Sequence, residues 1–144
     1  MNISYYTKQG FKLYGRMIKS DRYNQGIDIE LNFGDEKIKD TAVPAVYILA
    51  NENGDVLKLG QTSNLKSRIY SQYKSVINST NNRIRTHVRD VEDIFVYVYT
   101  LPILQRVILD RVVNGSFAKG LEYQLLSEYA DQTGQLPLLN TMKR

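Results

Sequence analysis

The sequence predicts an α+β fold in which a small sheet is packed by helices, and two features of the chain support this prediction. Residues 43–60 hold two apolar stretches on either side of Asn53 and Gly54, and an Asn-Gly pair in this setting is the strongest short signal for a β-hairpin. Residues 117–130 place apolar side chains at helical spacing and are followed by Gly134, a residue type that commonly ends helices. The 144 residues are enough for a single domain with its own core.

The N-terminal residues 1–43 carry no chemical motif. They contain seven Lys or Arg residues and six Asp or Glu residues. Ile27, Ile29 and Leu31 alternate with polar residues, which predicts a short and half-exposed strand. We therefore interpret residues 1–43 as an N-terminal extension and residues 44–144 as the domain that carries the chemistry.

The central hairpin brings a tyrosine and a lysine onto one face of the sheet. A two-residue turn at Asn53 and Gly54 places Tyr47 opposite Gly60, and this makes Tyr47 and Lys58 diagonal neighbours with Cα atoms about 7–8 Å apart. The absent side chain of Gly60 would leave space beside the phenol for a ligand backbone. Simple core packing of the tyrosine, and a lysine whose stem reaches water at a sheet edge, are the structural alternatives.

Helices are predicted on both sides of a third strand. Ser63 or Asn64 can cap a helix over residues 65–76, and residues 80–88 predict a second, basic helix or an ordered loop. Residues 94–100 alternate in the pattern of a strand. A helix is also expected after Pro102, although its end is weakened by Val112, Val113 and Gly115.

The composition excludes several kinds of site. The chain has no cysteine, which excludes disulfides, thiolate metal sites and cysteine nucleophiles. His87 is the single histidine, which excludes a zinc centre built from several imidazoles. No apolar run approaches the roughly 20 residues of a membrane span, and the N-terminus lacks a hydrophobic signal segment. We expect an intracellular, cytoplasmic protein.

Positive charge is concentrated in the middle of the chain. Residues 56–89 contain seven Lys or Arg residues and no Asp or Glu, an arrangement that attracts polyanions. A solvated face that keeps the protein soluble is the alternative interpretation. If the partner is nucleic acid, the residues expected to contact it are Lys66, Lys74, Arg83, Arg85 and Arg89.

An arginine lies beside one apolar helix face, and a glutamate lies within another. Arg68 lies beside the stripe that contains Leu65 and Ile69, and a guanidinium suits phosphate oxygens and the charge that develops on them during hydrolysis. Glu122 falls within the apolar face of the last helix, where a carboxylate is costly unless it is paired or bound to a metal. A salt bridge to Arg68 or another cation is one interpretation, and a ligand for one hard divalent cation, most simply Mg²⁺, is the other.

Taken in order, these features resemble the GIY-YIG nuclease family. Residues 45–47 (Ala-Val-Tyr) stand where the family has Gly-Ile-Tyr, and residues 58–60 (Lys-Leu-Gly) stand where it has Tyr-Ile-Gly. The following run leads into the family's helix with its catalytic arginine, here Arg68. Glu122 on a late helix and Asn140 after two leucines match the family's metal-binding glutamate and terminal asparagine. The resemblance covers about residues 43–140.

The resemblance implies a sheet of three antiparallel strands flanked by helices, and metal-dependent hydrolysis of a DNA phosphodiester that leaves a 5′-phosphate. Tyr47 would act as general base or orient the attacking water, and Lys58 would take the place of the family's second tyrosine. Arg68 would stabilise the pentavalent phosphate, Glu122 would bind a single Mg²⁺ or Mn²⁺ ion, and Asn140 would brace the site. We expect a restriction-type or mobile-element-type endonuclease, acting as a homodimer or higher homo-oligomer.

Two departures from the family pattern leave other functions open. Lys58 replaces the second tyrosine, and Gln72 stands four residues after Arg68 where the family often has His or Tyr. Tyr73 or His87 are candidates to supply the missing group. A non-catalytic nucleic-acid-binding protein that retains the nuclease fold is the main alternative, and a basic interaction protein without a nucleic-acid role is the third.

Overall fold

A five-stranded antiparallel sheet with the order β2-β1-β5-β3-β4 forms the centre of the fold. The fold comes from a computed structural model, which describes residues 1–21, 26–31, 42–72 and 82–140, without the side chains of residues 70–72. The strands are β1 Lys12–Lys19, β2 Ile27–Leu31, β3 Ala45–Ala50, β4 Val56–Thr62, β5 Ile94–Thr100, β6 Leu104–Ile108 and β7 Arg111–Gly115. The helical elements are α1 Ile3–Thr7, a π-helical segment Ser67–Gln72, α2 Asn82–Asp90 and α3 Ala118–Thr133.

The prediction of a three-stranded sheet is wrong, because the N-terminal residues add two strands to it. The short strand expected around Ile27 is confirmed as β2, and β1 pairs with both β2 and β5. Lysines, an arginine and a glycine interrupt the apolar pattern of β1, which hid this strand from sequence reasoning. Tyr14 and Met17 from β1 are buried in the same cluster as Tyr47. The described part of residues 1–43 therefore belongs to the main core.

The core is divided into two layers by the sheet, as β3 makes clear. Every residue of β3 is buried, and successive side chains of a strand point to opposite faces. Tyr47 and Leu49 belong to a cluster that includes Ile84 of α2, whereas Ile48 belongs to a second cluster that includes Leu125 of α3. Helices therefore cover both faces of β3 and its neighbours.

The register predicted for the central hairpin is confirmed. Tyr47 pairs with Gly60 and Leu49 pairs with Lys58 in the ladder between β3 and β4. Residues that face each other across a ladder share one side of the sheet. Tyr47 and Lys58 are therefore diagonal neighbours on the same face, as expected.

The loop of this hairpin is longer than predicted, and a bulge compensates for the difference. The backbone N–H of Asn51 donates to the carbonyl of Asp55 at 3.0 Å, so three residues rather than two form the loop. Gly54 adopts the left-handed conformation with φ 85°, as is typical of three-residue loops. The register then shifts by one between Leu49 and Ala50. The extra loop residue and the bulge cancel, which is why the predicted pairing holds.

The helix predicted after the hairpin begins as expected but is π-helical. The side-chain oxygen of Asn64 accepts a hydrogen bond of 3.1 Å from the backbone N–H three residues later, which confirms it as the cap. Leu65 and Ile69 are fully buried. The π-helical geometry over Ser67–Gln72 is a form often found at functional sites. Residues 73–76 of the predicted helix lie outside the described residues.

The C-terminal half contains three confirmed elements and one wrong one. The basic helix is α2, the third predicted strand is β5, and α3 ends at Gly134, whose φ of 81° and N–H bond to a carbonyl of the last turn close the helix. The helix expected after Pro102 is instead a hairpin of β6 and β7. Its β-branched residues favour strands, but its turn at Leu109 and Asp110 lacks the glycine that signals a hairpin. No helix among the described residues is long and apolar enough to cross a membrane.

Candidate active site

A cavity of about 310 Å³ opens beside the edge strand β4. All five residues predicted to be catalytic line it, although each comes from a different strand, helix or segment of the chain. These residues are Tyr47, Lys58, Arg68, Glu122 and Asn140. We call this hollow the site cavity.

The site cavity lies at the edge strand and is lined by groups from both faces of the sheet. Tyr47 and Lys58 share one face with the π-helical segment that carries Arg68. Glu122 belongs to α3, which packs on the opposite face, and Leu126 of the same helix also lines the cavity. Because no strand of the described residues pairs with β4 on its outer side, a side chain from α3 can reach groups on the other face. The edge position of β4 is therefore what allows these groups to converge.

Tyr47 and Arg68 are joined directly by a hydrogen bond. The Nε of Arg68 donates to the Tyr47 hydroxyl oxygen at 3.1 Å, and this bond fixes the phenol and the guanidinium relative to each other. The space expected beside Gly60 is occupied by the phenol itself, because a Cβ atom at Gly60 would overlap Cζ and Oη of Tyr47 and lie 2.8 Å from its Cε2. That expectation was wrong, since the glycine accommodates the tyrosine ring and not a ligand backbone.

Lys58 lies half-buried among charged and polar groups. Burial lowers its pKa below the ordinary lysine value of 10.5, and Arg68 lowers it further, whereas Tyr47 and Glu122 act in the opposite direction. A lysine with a lowered pKa holds a larger share of neutral amine near physiological pH. Such an amine can accept a proton as well as donate one.

Glu122 is the acidic residue of the site cavity, and its surroundings fit a metal that keeps most of its water ligands. Among the described residues, no group of three or more His, Cys, Asp or Glu side chains is arranged to hold a metal. Mg²⁺ needs fewer protein ligands than that, because it commonly binds through one or two carboxylates together with water and substrate phosphates. A single carboxylate facing a cavity of this size is compatible with such an ion.

Asn140 fixes the C-terminal segment against β4. Its side-chain oxygen accepts from the backbone N–H of Leu59 at 2.9 Å, and its amide nitrogen donates to the Leu59 carbonyl at 2.9 Å. The N–H of Leu139 also donates to the Leu57 carbonyl at 2.7 Å. Asn140 thus takes the place of a neighbouring strand at the wall of the site cavity.

Sequence reasoning missed two polar residues that line the site cavity, Gln61 and Lys119. Lys119 precedes Glu122 by three residues, and this spacing places both side chains on one side of α3. That spacing in the sequence could have identified Lys119 as a residue of the same site as Glu122. With Lys58 and Arg68, Lys119 makes three cations around one carboxylate, so the cavity favours an anion.

The five residues expected to contact nucleic acid differ in their exposure. Lys66 and Arg83 are exposed, and Arg83 also donates to the Leu138 carbonyl at 3.0 Å. Arg89 is half-buried. Arg85 is only 5% exposed and burial lowers its pKa, which argues against a direct contact with a polyanion. The remaining member, Lys74, lies outside the described residues.

Of the two candidates for a missing proton-transfer group, only His87 lies among the described residues. His87 is buried on α2, where its Nε2 lies 2.8 Å from an oxygen of Glu92, and it does not line the site cavity. Tyr73 and the side chain of Gln72 are outside the described part of the chain.

Comparisons with known proteins show what fold this is. No family model matches the sequence, and no curated protein matches it. Among solved structures, the restriction endonuclease HPY188I in complex with product DNA aligns with a TM-score of 0.61 at 15% identity, covering 99% of this chain and 87% of that one. A mutant of EndoII from bacteriophage T4 aligns with a TM-score of 0.66 at 16% identity, covering 98% of this chain and 99% of that one. The chain therefore has the mixed α/β fold of these two proteins, while its membership of the GIY-YIG family stays a prediction.

Proposed function

We propose that this protein is a DNA endonuclease of the GIY-YIG type that hydrolyses phosphodiester bonds with the help of a single Mg²⁺ or Mn²⁺ ion. The observation that carries the proposal is the convergence of a phenol, an amine, a guanidinium and a carboxylate in the site cavity. The fold supports it, because one similar structure is a restriction endonuclease with product DNA. A restriction-type or mobile-element-type enzyme is the form we favour.

The proposed chemistry assigns one task to each group. Arg68 stabilises the negative charge that builds up on the phosphate oxygens, and a guanidinium in this role contributes about 10²–10³ in rate. Tyr47, held by Arg68 at 3.1 Å, orients the attacking water or, as the phenolate, accepts its proton. Lys58 assists at the same water, since its lowered pKa lets its amine exchange protons. Glu122 would hold the metal, which when bound supplies Lewis-acid stabilisation of the phosphate oxygens.

A nicking assay on supercoiled plasmid tests the proposal. The wild type should convert the plasmid to open-circular or linear DNA with Mg²⁺ or Mn²⁺ and should stop when the metal is chelated. Glu122→Gln should abolish cutting, whereas Glu128→Gln, a matched change on the same helix outside the site cavity, should not. Mn²⁺ titration by calorimetry should show the same difference between the two variants. A protein that nicks equally well with Glu122→Gln would refute the assignment.

Arginine variants separate catalysis from fold. Arg68→Ala should reduce cleavage by about 10²–10³ and leave most of the thermal stability intact. Arg16→Ala is the matched control, because Arg16 on β1 pairs with Glu30 on β2 at 2.8 Å and does not line the site cavity. If Arg68→Ala unfolds the protein, a structural salt bridge is the better interpretation of this residue.

A non-catalytic nucleic-acid-binding protein is the second candidate function. Lys58 in the place of the family's second tyrosine, with Gln72 further along, is the observation that favours it. Binding to a duplex oligonucleotide that weakens with rising salt, without cleavage under any metal condition, would select this alternative. Absence of salt-dependent binding would remove both nucleic-acid functions.

A further inference from the structure

The hairpin of β6 and β7 is an exposed apolar projection. We call residues 104–115 the arm. All of its strand residues are exposed, and Val107, Leu109 and Val112 reach 70%, 80% and 66% exposure. No arm residue belongs to either core cluster of the described residues. A two-stranded hairpin alone is at best marginally stable in water, and contiguous exposed apolar surface marks an interaction site.

The tip of the arm presents a leucine under backbone strain. Leu109 and Asp110 have φ angles of 51° and 60°, and such a left-handed pair in a two-residue hairpin turn is normally Asn-Gly. A left-handed conformation is unfavourable for a non-glycine residue, because its Cβ approaches the following carbonyl oxygen. A bulky apolar side chain at this position is therefore unfavourable for the isolated arm, and contact with another surface would offset the cost.

A concave surface that complements the tip lies at the root of the same arm. A cavity of about 500 Å³ is lined mostly by apolar and aromatic residues, together with Gln9 and Gln124, from β5, α3 and the segments that connect the neighbouring elements. We call it the aromatic cavity, and its lining includes Phe11, Tyr99, Leu101, Phe117 and Leu121. Leu101 precedes the arm in sequence and Phe117 follows it. The projecting and the concave apolar surfaces therefore sit at opposite ends of one hairpin.

We propose that two copies of this chain exchange arms about a two-fold axis, so that Leu109 of each copy enters the aromatic cavity of the other. The proposal is independent of the proposed nuclease function. A two-fold interface uses each contact twice, and here it covers the arm and the aromatic cavity with one partner. A partner of different chemistry would have to match each feature separately.

The dimensions of the arm agree with this arrangement. Each strand of five residues is about 17 Å long. Two arms that lie side by side in opposite directions place each tip at the root of the other arm, where the aromatic cavity opens. The cross-strand pair Val107 and Val112 lies one pair closer to the tip than the middle of the ladder and would lie near the two-fold axis. These two valines are the most exposed apolar residues of the two strands.

The charge of the arm favours protein over DNA as its partner. Protein–DNA interfaces are polar and strongly positive. The arm carries two arginines, Arg106 and Arg111, and one aspartate, Asp110, among six apolar residues. The part of the chain that has Lys and Arg residues without any Asp or Glu is residues 56–89, outside the arm.

Sedimentation equilibrium of the full chain without DNA tests the dimer. The chain mass is 16.6 kDa, so two copies give 2 × 16.6, about 33 kDa. Leu109→Asp should weaken association at least tenfold. Val91→Asp, a change at another exposed apolar residue, should have no effect. A wild type that stays monomeric, or a dimer that is insensitive to Leu109→Asp, would overturn the proposal. So would a monomer in which Leu109→Asp weakens only oligonucleotide binding.

Crosslinking identifies the surface that receives the tip. Because the chain has no cysteine, Leu109→Cys and Gln124→Cys can be made as separate proteins, mixed, and treated with a short thiol crosslinker. Gln124 is an exposed residue that lines the aromatic cavity. The mixture should yield a crosslinked heterodimer, and Leu109→Cys mixed with Lys66→Cys should not. Crosslinking of Leu109→Cys mainly to itself would place the tips together and refute the exchange.

Discussion

Gly60→Ala is the substitution for which the structure gives the sharpest expectation. A Cβ atom at this position would overlap the Cζ and Oη atoms of Tyr47. Tyr47 is fully buried and held by a hydrogen bond from Arg68, so its ring cannot move aside without disturbing the core. The strain must be relieved by displacing either β4 or the phenol, and both displacements disturb the site cavity.

The expected cost can be estimated from overpacking of well-ordered cores, which typically costs about 1–3 kcal/mol. For a domain of this size, that corresponds to a melting temperature lower by roughly 3–10 °C. Gly120→Ala is the matched control, because no atom lies within 4 Å of its added methyl and the site is inside α3. The control should be stabilising by about 0.5–1 kcal/mol. Thermal and urea unfolding measure both variants.

A double-mutant cycle shows whether the overlap with Tyr47 is the cause. Tyr47→Leu removes the ring atoms that the methyl would meet and still fills much of the buried space. In that background Gly60→Ala should cost little, which gives a coupling free energy of about 1 kcal/mol or more. An unchanged cost of Gly60→Ala in the Tyr47→Leu background would refute this explanation. In that case the glycine would serve the backbone of β4 and not the tyrosine.

Three further expectations concern the edge strand and the effect of pH on stability. Asn140→Ala should accelerate amide hydrogen exchange at Leu59, because the Leu59 N–H loses its acceptor. Asn140→Asp should not restore protection, because its second oxygen would face the Leu59 carbonyl. Unchanged exchange in both variants would contradict this role of Asn140. Burial, helped by Glu128, raises the pKa of Tyr6 from 10.0 to about 12. Between these pH values the folded chain binds more protons than the unfolded chain, so its stability falls by at most about 2–3 kcal/mol as pH rises through them. Tyr6→Phe should show a shallower alkaline loss of stability in urea unfolding, and an identical slope would refute the contribution of Tyr6. Burial lowers the pKa of Lys58 below 10.5. Just below pH 10.5 the unfolded chain therefore binds more protons than the folded chain, and this residue makes stability rise with pH. The stability advantage of Lys58→Met over the wild type should shrink as pH approaches 10.5, and a constant advantage would argue against a buried amine.

The sequence was informative where local rules decide the structure. The register around Tyr47 followed from the hairpin signal, and it survived a wrong loop length because the bulge after Leu49 cancelled the error. Helical periodicity placed Glu122 towards the core side of α3, which is where the site cavity lies. Periodicity thus identified the glutamate as unusual, whereas its convergence with Tyr47 was expected from the family resemblance.

The parts that failed depend on tertiary contacts or on unusual turns. Strand β1 has a half-polar pattern, and its place between β2 and β5 is set by pairing that no local rule specifies. The arm was assigned to a helix because its turn uses Leu109 and Asp110 in place of glycine. Burial of Arg85 was also invisible, since charge counting treats every arginine in a basic stretch as exposed.

The position of β4 at the sheet edge links stability to chemistry. The unpaired N–H and C=O groups of an exposed edge strand can pair with another chain and cause aggregation. A sixth strand on β4 would remove this risk, but it would also separate Glu122 from Tyr47 and Lys58. The C-terminal segment satisfies Leu59 through the amide of Asn140, so the edge is covered without a strand. The asparagine at the end of the segment is thus required by the same geometry that opens the site cavity. We infer that the edge strand, more than any single polar residue, determines where this fold can carry a reactive site.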